Sequence, residues 1–252
     1  MNSRVQETVV VVGGTGEMGQ LICQQVAEEG YDVLAVARTE AALGSLVKEH
    51  DNIRACVADI SNDDATVQIA AHLSQPVRAL VHGPGVATAG GVLTAPTSAL
   101  SEAVNIKVGG MVRLVRACDP YLVAGSRLIA IGGHYGFEPT AYAATAGIAN
   151  AAVANLIRQY SLAYGDRDIT AHLLAPGPAD SQRLKRVAQA RAEREGVDVE
   201  SVYATMQGES AINKFTPLGS VAWAVKLLLD PMADALAGST LFMDAGRRRA
   251  SP

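Results

Sequence analysis

Several residue types that mark specialised chains are scarce here. Charged residues make up 18% of the 252, and the formal net charge is -4. Without a basic surplus, nucleic acid and anionic membrane surfaces are excluded as main partners. Long hydrophobic runs are missing. The longest are five residues, at 33–37 and 221–225, far short of the ~20 needed to cross a bilayer. Residues 1–7 carry no apolar signal segment, so the expected location is cytoplasmic. Cys23, Cys56 and Cys118 stand far apart with no Cys-x-x-Cys pair. That excludes a disulfide framework and reads as buried free thiols in a reducing compartment. The histidines show no metal-ligand spacing, so no metal is expected.

What is present is a core and a pattern. Hydrophobic residues are 49% of the chain, enough for a sizeable interior. Val9-Val10-Val11-Val12 runs straight into Gly13-Gly14-Thr15-Gly16-Glu17-Met18-Gly19. Four β-branched residues without polar alternation suit a strand buried on both faces of a parallel sheet. Gly13, Gly16 and Gly19 allow a sharp turn, close approach to a pyrophosphate, and tight packing of the next helix on the strand. The first N–H groups of that helix, at the positive end of its dipole, suit phosphates. Gly13, Thr15, Gly16, Glu17, Met18 and Gly19 are thus the first candidate nucleotide-binding residues.

Strand and helix patterns then alternate. Strands are expected over 8–12, 32–37, 53–58, 79–82, 127–131, 169–174 and 240–243, and helices over 18–29, 39–49, 97–118, 141–164 and 221–229. Thr39 and Ser61 are candidate N-caps, and Pro76 ends the helix that Ser61 begins. This βαβ order predicts an α/β fold, a Rossmann-type doubly wound parallel sheet of seven strands. No repeat, linker or composition break divides the chain, so residues 1–252 read as one domain. A polar helical insertion over about 180–216 is either a mobile lid or a surface-packed helical pair.

In this order the motifs resemble the short-chain dehydrogenase/reductase family over nearly the whole chain. The resemblance rests on the glycine loop, Ala58-Asp59-Ile60, Val104-Asn105-Ile106, Ala175-Pro176-Gly177 and Thr240-Leu241-Phe242-Met243-Asp244-Ala245-Gly246. The glycine spacing, two and two, departs from the commonest family spacing. The resemblance implies that Asp59 and Ile60 lie at the adenine, and that Gly83, Pro84, Gly85, Pro176 and Gly177 border the cofactor. It also implies a homodimer or homotetramer. The second strand ends Val36-Ala37-Arg38-Thr39, with no acid for a ribose 2′-hydroxyl. Arg38 suits a 2′-phosphate instead, which selects NADP(H).

The family's catalytic positions, carried over residue by residue, are incomplete. Its tyrosine falls on Tyr142 and its helix-four asparagine on Asn105. Its lysine position holds Ala146, and its serine position Gly133. The Asn-Asn-Ala-Gly motif after strand four has become His82-Gly83-Pro84-Gly85. An unperturbed phenol has a pKa near 10, so without an adjacent ammonium Tyr142 makes a poor base for alcohol oxidation. A neutral tyrosine still donates a hydrogen bond or a proton. His134, Tyr135 and His82 are candidate substitutes, because histidine moves protons near neutral pH. His50, His72 and His172 read as surface or packing residues. The expected activity is NADP(H)-dependent reduction of a small carbonyl, enone or quinone-type substrate. The alternatives are a nucleotide-binding regulatory or assembly protein on the same fold, and a non-redox lyase or isomerase.

Overall fold

A computed structural model describes residues 5–87 and 90–249. Residues 1–4, part of the segment read above for a signal, lie outside the described residues. So do Thr88 and Ala89 of the loop after the fourth strand.

The valine run forms β1 (Val5–Val12), an inner strand next to the central one. The other strands are β2 (Tyr31–Ala37), β3 (Ile53–Val57), β4 (Val77–His82), β5 (Leu122–Ile131), β6 (Thr170–Pro176) and β7 (Thr240–Met243). Their order is β3-β2-β1-β4-β5-β6-β7, and every neighbouring pair is parallel. Val9 to Val12 are at most 3% exposed, as a strand covered on both faces requires. Their side chains alternate between two cores. Val10 and Val12 join Leu34, Leu80 and Leu128 on one face, and Val9 and Val11 join Val33, Val81 and Ile129 on the other.

The helices are α1 (Glu17–Glu28), α2 (Glu40–Glu49), α3 (Ala65–Ala70), α4 (Thr97–Val104), α5 (Gly110–Cys118), α6 (Ala144–Tyr164), α7 (Gln182–Glu195), α8 (Val199–Gly208) and α9 (Leu218–Leu229). α1, α2 and α9 cover one face of the sheet, and α3, α5 and α6 the other. None of the described helices is long and apolar enough to cross a membrane. The insertion folds as α7 and α8 around Leu184, Ala188, Val202, Met206 and Phe215. Ser181 and Asp198 cap these helices by accepting from Leu184 N and Ser201 N, which satisfies donors that a helix start leaves open.

Three departures from the expected elements shape the site. The helix expected over 97–118 is interrupted by a π-turn, Asn105–Gly109, between α4 and α5. α6 begins at Ala144 instead of 141. The loop after β4 holds the preceding residues: Val92 N donates to Ala141 O at 3.0 Å, and Ala144 N to Gly90 O at 3.4 Å. Tyr142 therefore lies before the helix, not within it. Ser61 caps no helix. Its N–H and hydroxyl donate to Asp59 at 3.0 and 2.8 Å, and α3 starts four residues later. Thr39 occupies the N-cap position of α2 without a side-chain cap bond.

β1 is flanked by β2 on one side and β4 on the other, so the chain order reverses there. The C-terminal ends of β1 and β4 consequently open a crevice, the usual ligand position of such sheets.

Candidate active site

The crevice starts at the glycine loop. Gly13 has φ +85, and a Cβ on it would lie 3.2 Å from the backbone of Gly83 and Pro84. Both strand ends meet there only because the residue is glycine. Gly19 would carry a Cβ 2.1 Å from Gly13 O, so this glycine serves the close packing of α1 on the loop. Gly16 is the N-cap of α1 and offers no side-chain cap, leaving the first N–H groups of the helix without an intrahelical acceptor. At the far end, Arg38 is exposed beyond β2 and lies within electrostatic reach of Asp59. The Asp59 carboxylate is held below its ordinary value by hydrogen bonds from Ser61 and by Arg38 and Arg113, against a desolvation cost from partial burial. An open helix start and a close glycine contact fit a dinucleotide's pyrophosphate. The Glu17 carboxylate is the discordant group. It accepts from Gln182 N at 3.1 and 3.2 Å, tying the start of α1 to the start of α7.

Beyond the β5 end lies a tyrosine pair. The hydroxyls of Tyr135 and Tyr142 are 2.8 Å apart, with rings edge to face at 5.8 Å. Tyr142 is 46% exposed, so its hydroxyl is open to a substrate. Burial, and then the bond to Tyr142, push the Tyr135 hydroxyl above its ordinary value. Tyr135 therefore stays protonated at neutral pH, and either hydroxyl of the pair can act as the donor. Thr145 donates to Ala87 O at 2.8 Å. With the Val92–Ala141 bond, this fixes both sides of the Tyr142 segment.

Both histidines offered as substitutes are buried. His134 is 4% exposed. Burial and Arg247 push it down to about 4, outweighing the hydrogen bond to Pro176 O and the acids Asp244 and Glu138. It is a neutral imidazole at pH 7, with Nε2 buried and unpartnered, and cannot serve as a charged acid. His82 is the last residue of β4, as expected, and is fully buried. Burial and Lys107 push it down to about 3, and Nε2 bonds Ile106 O at 2.9 Å. Gly110 makes room for it, since a Cβ there would come 2.8 Å from the ring. His82 packs β4 against α5 and does not face the crevice. Asn105 braces too: its amide donates to Ser61 O at 3.0 Å and accepts from Arg113 at 3.0 Å. His172 is fully buried against Thr170 and Leu236, a packing residue.

Two buried polar residues near the β5 end were not singled out in the sequence. Gly133 has extended backbone, and a Cβ there would come 2.8 Å from Asn150 Nδ2. Asn150, 5% exposed, has its Oδ1 unpartnered and fills the volume a serine side chain would use. It sits eight residues after Tyr142, on the same face of the α6 helical path as Ala146. The sequence held that spacing, but only the fold of the Gly132–Gly136 loop onto α6 gives it meaning. The second is Lys107, 5% exposed inside the π-turn, whose Nζ donates to Ile131 O at 2.6 Å. Ala146 packs beside the same segment, against Val86, Ala103 and Ala149.

A family model, short chain dehydrogenase, matches residues 7–192. The chain belongs to the short-chain dehydrogenase/reductase family. This family is one of oxidoreductases, and the curated relatives agree. The chain is similar to the short-chain reductase NovJ of Streptomyces niveus, 25% identical over 96% of this chain and 94% of the relative. It is similar to L-xylulose reductase of Caenorhabditis elegans, 27% identical over 94% of each. Among solved structures, a variant of actinorhodin polyketide ketoreductase with NADPH superposes at TM-score 0.88, 20% identical, over 97% of this chain and 99% of that one. A short-chain oxidoreductase from Pseudomonas aeruginosa PAO1, described as containing an atypical catalytic center, superposes at 0.85, 21% identical, over 97% and 98%. These two likenesses bear on the fold, and the short-chain dehydrogenase/reductase fold is the one seen here.

Proposed function

We propose that this family member is an NADP(H)-dependent reductase of a small carbonyl, enone or quinone-type substrate. The reading rests on the Tyr135–Tyr142 hydroxyl pair, a hydrogen-bonded donor couple, beside strand ends that fit a dinucleotide. When bound, the reduced nicotinamide supplies a hydride. Tyr142 donates to the substrate oxygen as negative charge develops there, and Tyr135 hydrogen-bonds the Tyr142 oxygen as that proton leaves. With Ala146 in the family's lysine position, that position supplies no ammonium to hold a phenolate. The reverse direction, alcohol oxidation, is therefore disfavoured. An enone or quinone asks least of such a site, because delocalisation already stabilises its product anion. Arg38 supports the choice of NADP(H) over NAD(H).

A nucleotide-binding protein without turnover is the second reading. It is favoured by Glu17, whose carboxylate stands at the helix start where a pyrophosphate's charge would gather. NADPH consumption with ketone, enone and quinone panels separates the two. Turnover with one class, and an NADPH-over-NADH preference that falls at least tenfold in Arg38→Ala, supports the reductase. Measurable NADPH binding with no turnover on any acceptor overturns it in favour of the second reading.

Self-association as a homodimer or homotetramer fits two surfaces. Leu100, Val104 and Val108 line an outer groove of about 560 Å³ along α4 and the π-turn, and Trp223 and Leu227 are exposed on α9. The three cysteines are free and buried, in keeping with a cytoplasmic location.

A further inference from the structure

A buried ammonium needs acceptors. It carries three N–H donors, and burying it with donors unmet costs heavily. Lys107 Nζ has the Ile131 carbonyl as its one hydrogen-bond acceptor among the described residues, though the side chain is 5% exposed. Ile131 ends β5 and immediately precedes the Gly132-Gly133 loop. β1, β4 and β5 are neighbours in the sheet, so Gly13, Gly83 and Ile131 lie at the ends of adjacent strands. A nucleotide held at the start of α1 would have these strand ends, and with them Lys107, on its nicotinamide side. The titratable groups near the amine are His82 from β4, kept neutral by burial, and Arg183 from α7. β5 presents the Ile131 carbonyl. Arg183, within electrostatic reach of the amine, donates to Val86 O at 2.7 Å, on the loop that borders the crevice. Among the described residues no acid acts on the amine. The π-turn holds this residue inward, and such turns recur at functional positions.

We propose that Lys107 replaces the family's missing lysine, reaching the nicotinamide-side ribose hydroxyls from the α4–α5 rod instead of from α6. The inference rests on the NADP(H) reading above. Burial and Arg183 push the amine down to about 8, so its charge, and with it the ribose contact, fades above that pH.

Nucleotide titration followed by NADPH fluorescence tests this, with Lys107→Met as the isosteric variant and thermal unfolding as the check on folding. At pH 7, Lys107→Met is expected to bind NADPH about 10- to 100-fold more weakly, the size of a lost charge-assisted hydrogen bond. Its affinity for adenosine 2′,5′-bisphosphate, which lacks the second ribose, stays within twofold. Wild-type affinity for NADPH falls as pH rises from 7 to 9, while that of the variant stays flat. Adding Ala146→Lys to Lys107→Met recovers at least half of the lost affinity. If a folded Lys107→Met binds NADPH within twofold of wild type, the inference fails and the NADP(H) reading stands. Equal weakening toward both nucleotides makes Lys107 a structural residue and also overturns the inference. If the wild type binds no NADPH, the reading and the inference fall together.

Discussion

Lowering the pH from 7 to 5 should destabilise this protein by roughly 5–6 kcal/mol, and three buried histidines set that figure. His82, His134 and His172 are at most 4% exposed. Burial, the largest cause at each, pushes them down to about 3, about 4 and about 4. In the unfolded chain each returns to about 6.5. Between pH 6.5 and 4 the unfolded state therefore binds protons that the folded state refuses, so stability is full above 6.5 and is lost as pH falls. At pH 5 each unfolded imidazole is almost fully charged and each folded one almost fully neutral. A shift of that kind is worth about 1.4 kcal/mol per pH unit per histidine, or about 1.9 kcal/mol each between pH 7 and 5. Total stability of a domain is ~5–15 kcal/mol, so the loss is between about a third and the whole of it by pH 5. Urea unfolding followed by circular dichroism at half-unit pH steps measures the slope. His172→Gln, remote from the tyrosine pair, should remove about a third of it. A loss below about 2 kcal/mol from pH 7 to 5, at unchanged m-value, would refute the neutral buried imidazoles. So would a His172→Gln slope equal to that of wild type.

Two further outcomes follow from the geometry. A Cβ on Gly91 would come 2.2 Å from Ala141 O, a backbone atom one residue from Tyr142. Gly91→Ala should thus cut kcat about 100-fold while NADPH affinity changes less than threefold. A loss of nucleotide binding equal to the loss of kcat would show that the loop does not position Tyr142. Arg127, 1% exposed, donates to Leu228 O at 2.7 Å and to Asp230 O at 3.3 Å, and pairs with Asp234 at 2.7 Å. Arg127→Met orphans these carbonyls and should cost about 3–5 kcal/mol in urea unfolding. A change under 1 kcal/mol would count against that anchor.

The fold was legible where one segment carries its own physics. The valine run into Gly13 needs no distant partner to be read as a buried strand, a turn and a helix start. The second strand's missing acid and Arg38 are likewise local facts. The site was less legible because its defining contacts join residues far apart in the chain. Alanine-rich 141–143 reads as helix by propensity, yet Gly90 and Val92 draw it out of the helix. His134 sits in a loop, which suggests exposure, but the loop folds onto α6 and buries it. Ala146 and Gly133 announced losses. What fills their surroundings, Asn150 beneath Gly133 and Lys107 from the opposite rod, depends on packing that no periodicity encodes.

The π-turn has a consequence for chain length. It takes up one extra residue within the rod from Thr97 to Cys118. Deleting one residue within Asn105–Gly109 would give a regular α-helix and leave α4 and α5 nearly in phase, because the wider turn already absorbs that residue. Ala103 would keep its place against Val86 and Ala149, but the side chains of the turn itself would be redirected and Lys107 would lose its inward direction. At this point in the chain, relatives one residue shorter should keep the helix faces and lack the inward lysine. The number of residues between Ala103 and Gly110 is as much a part of the site as their identities.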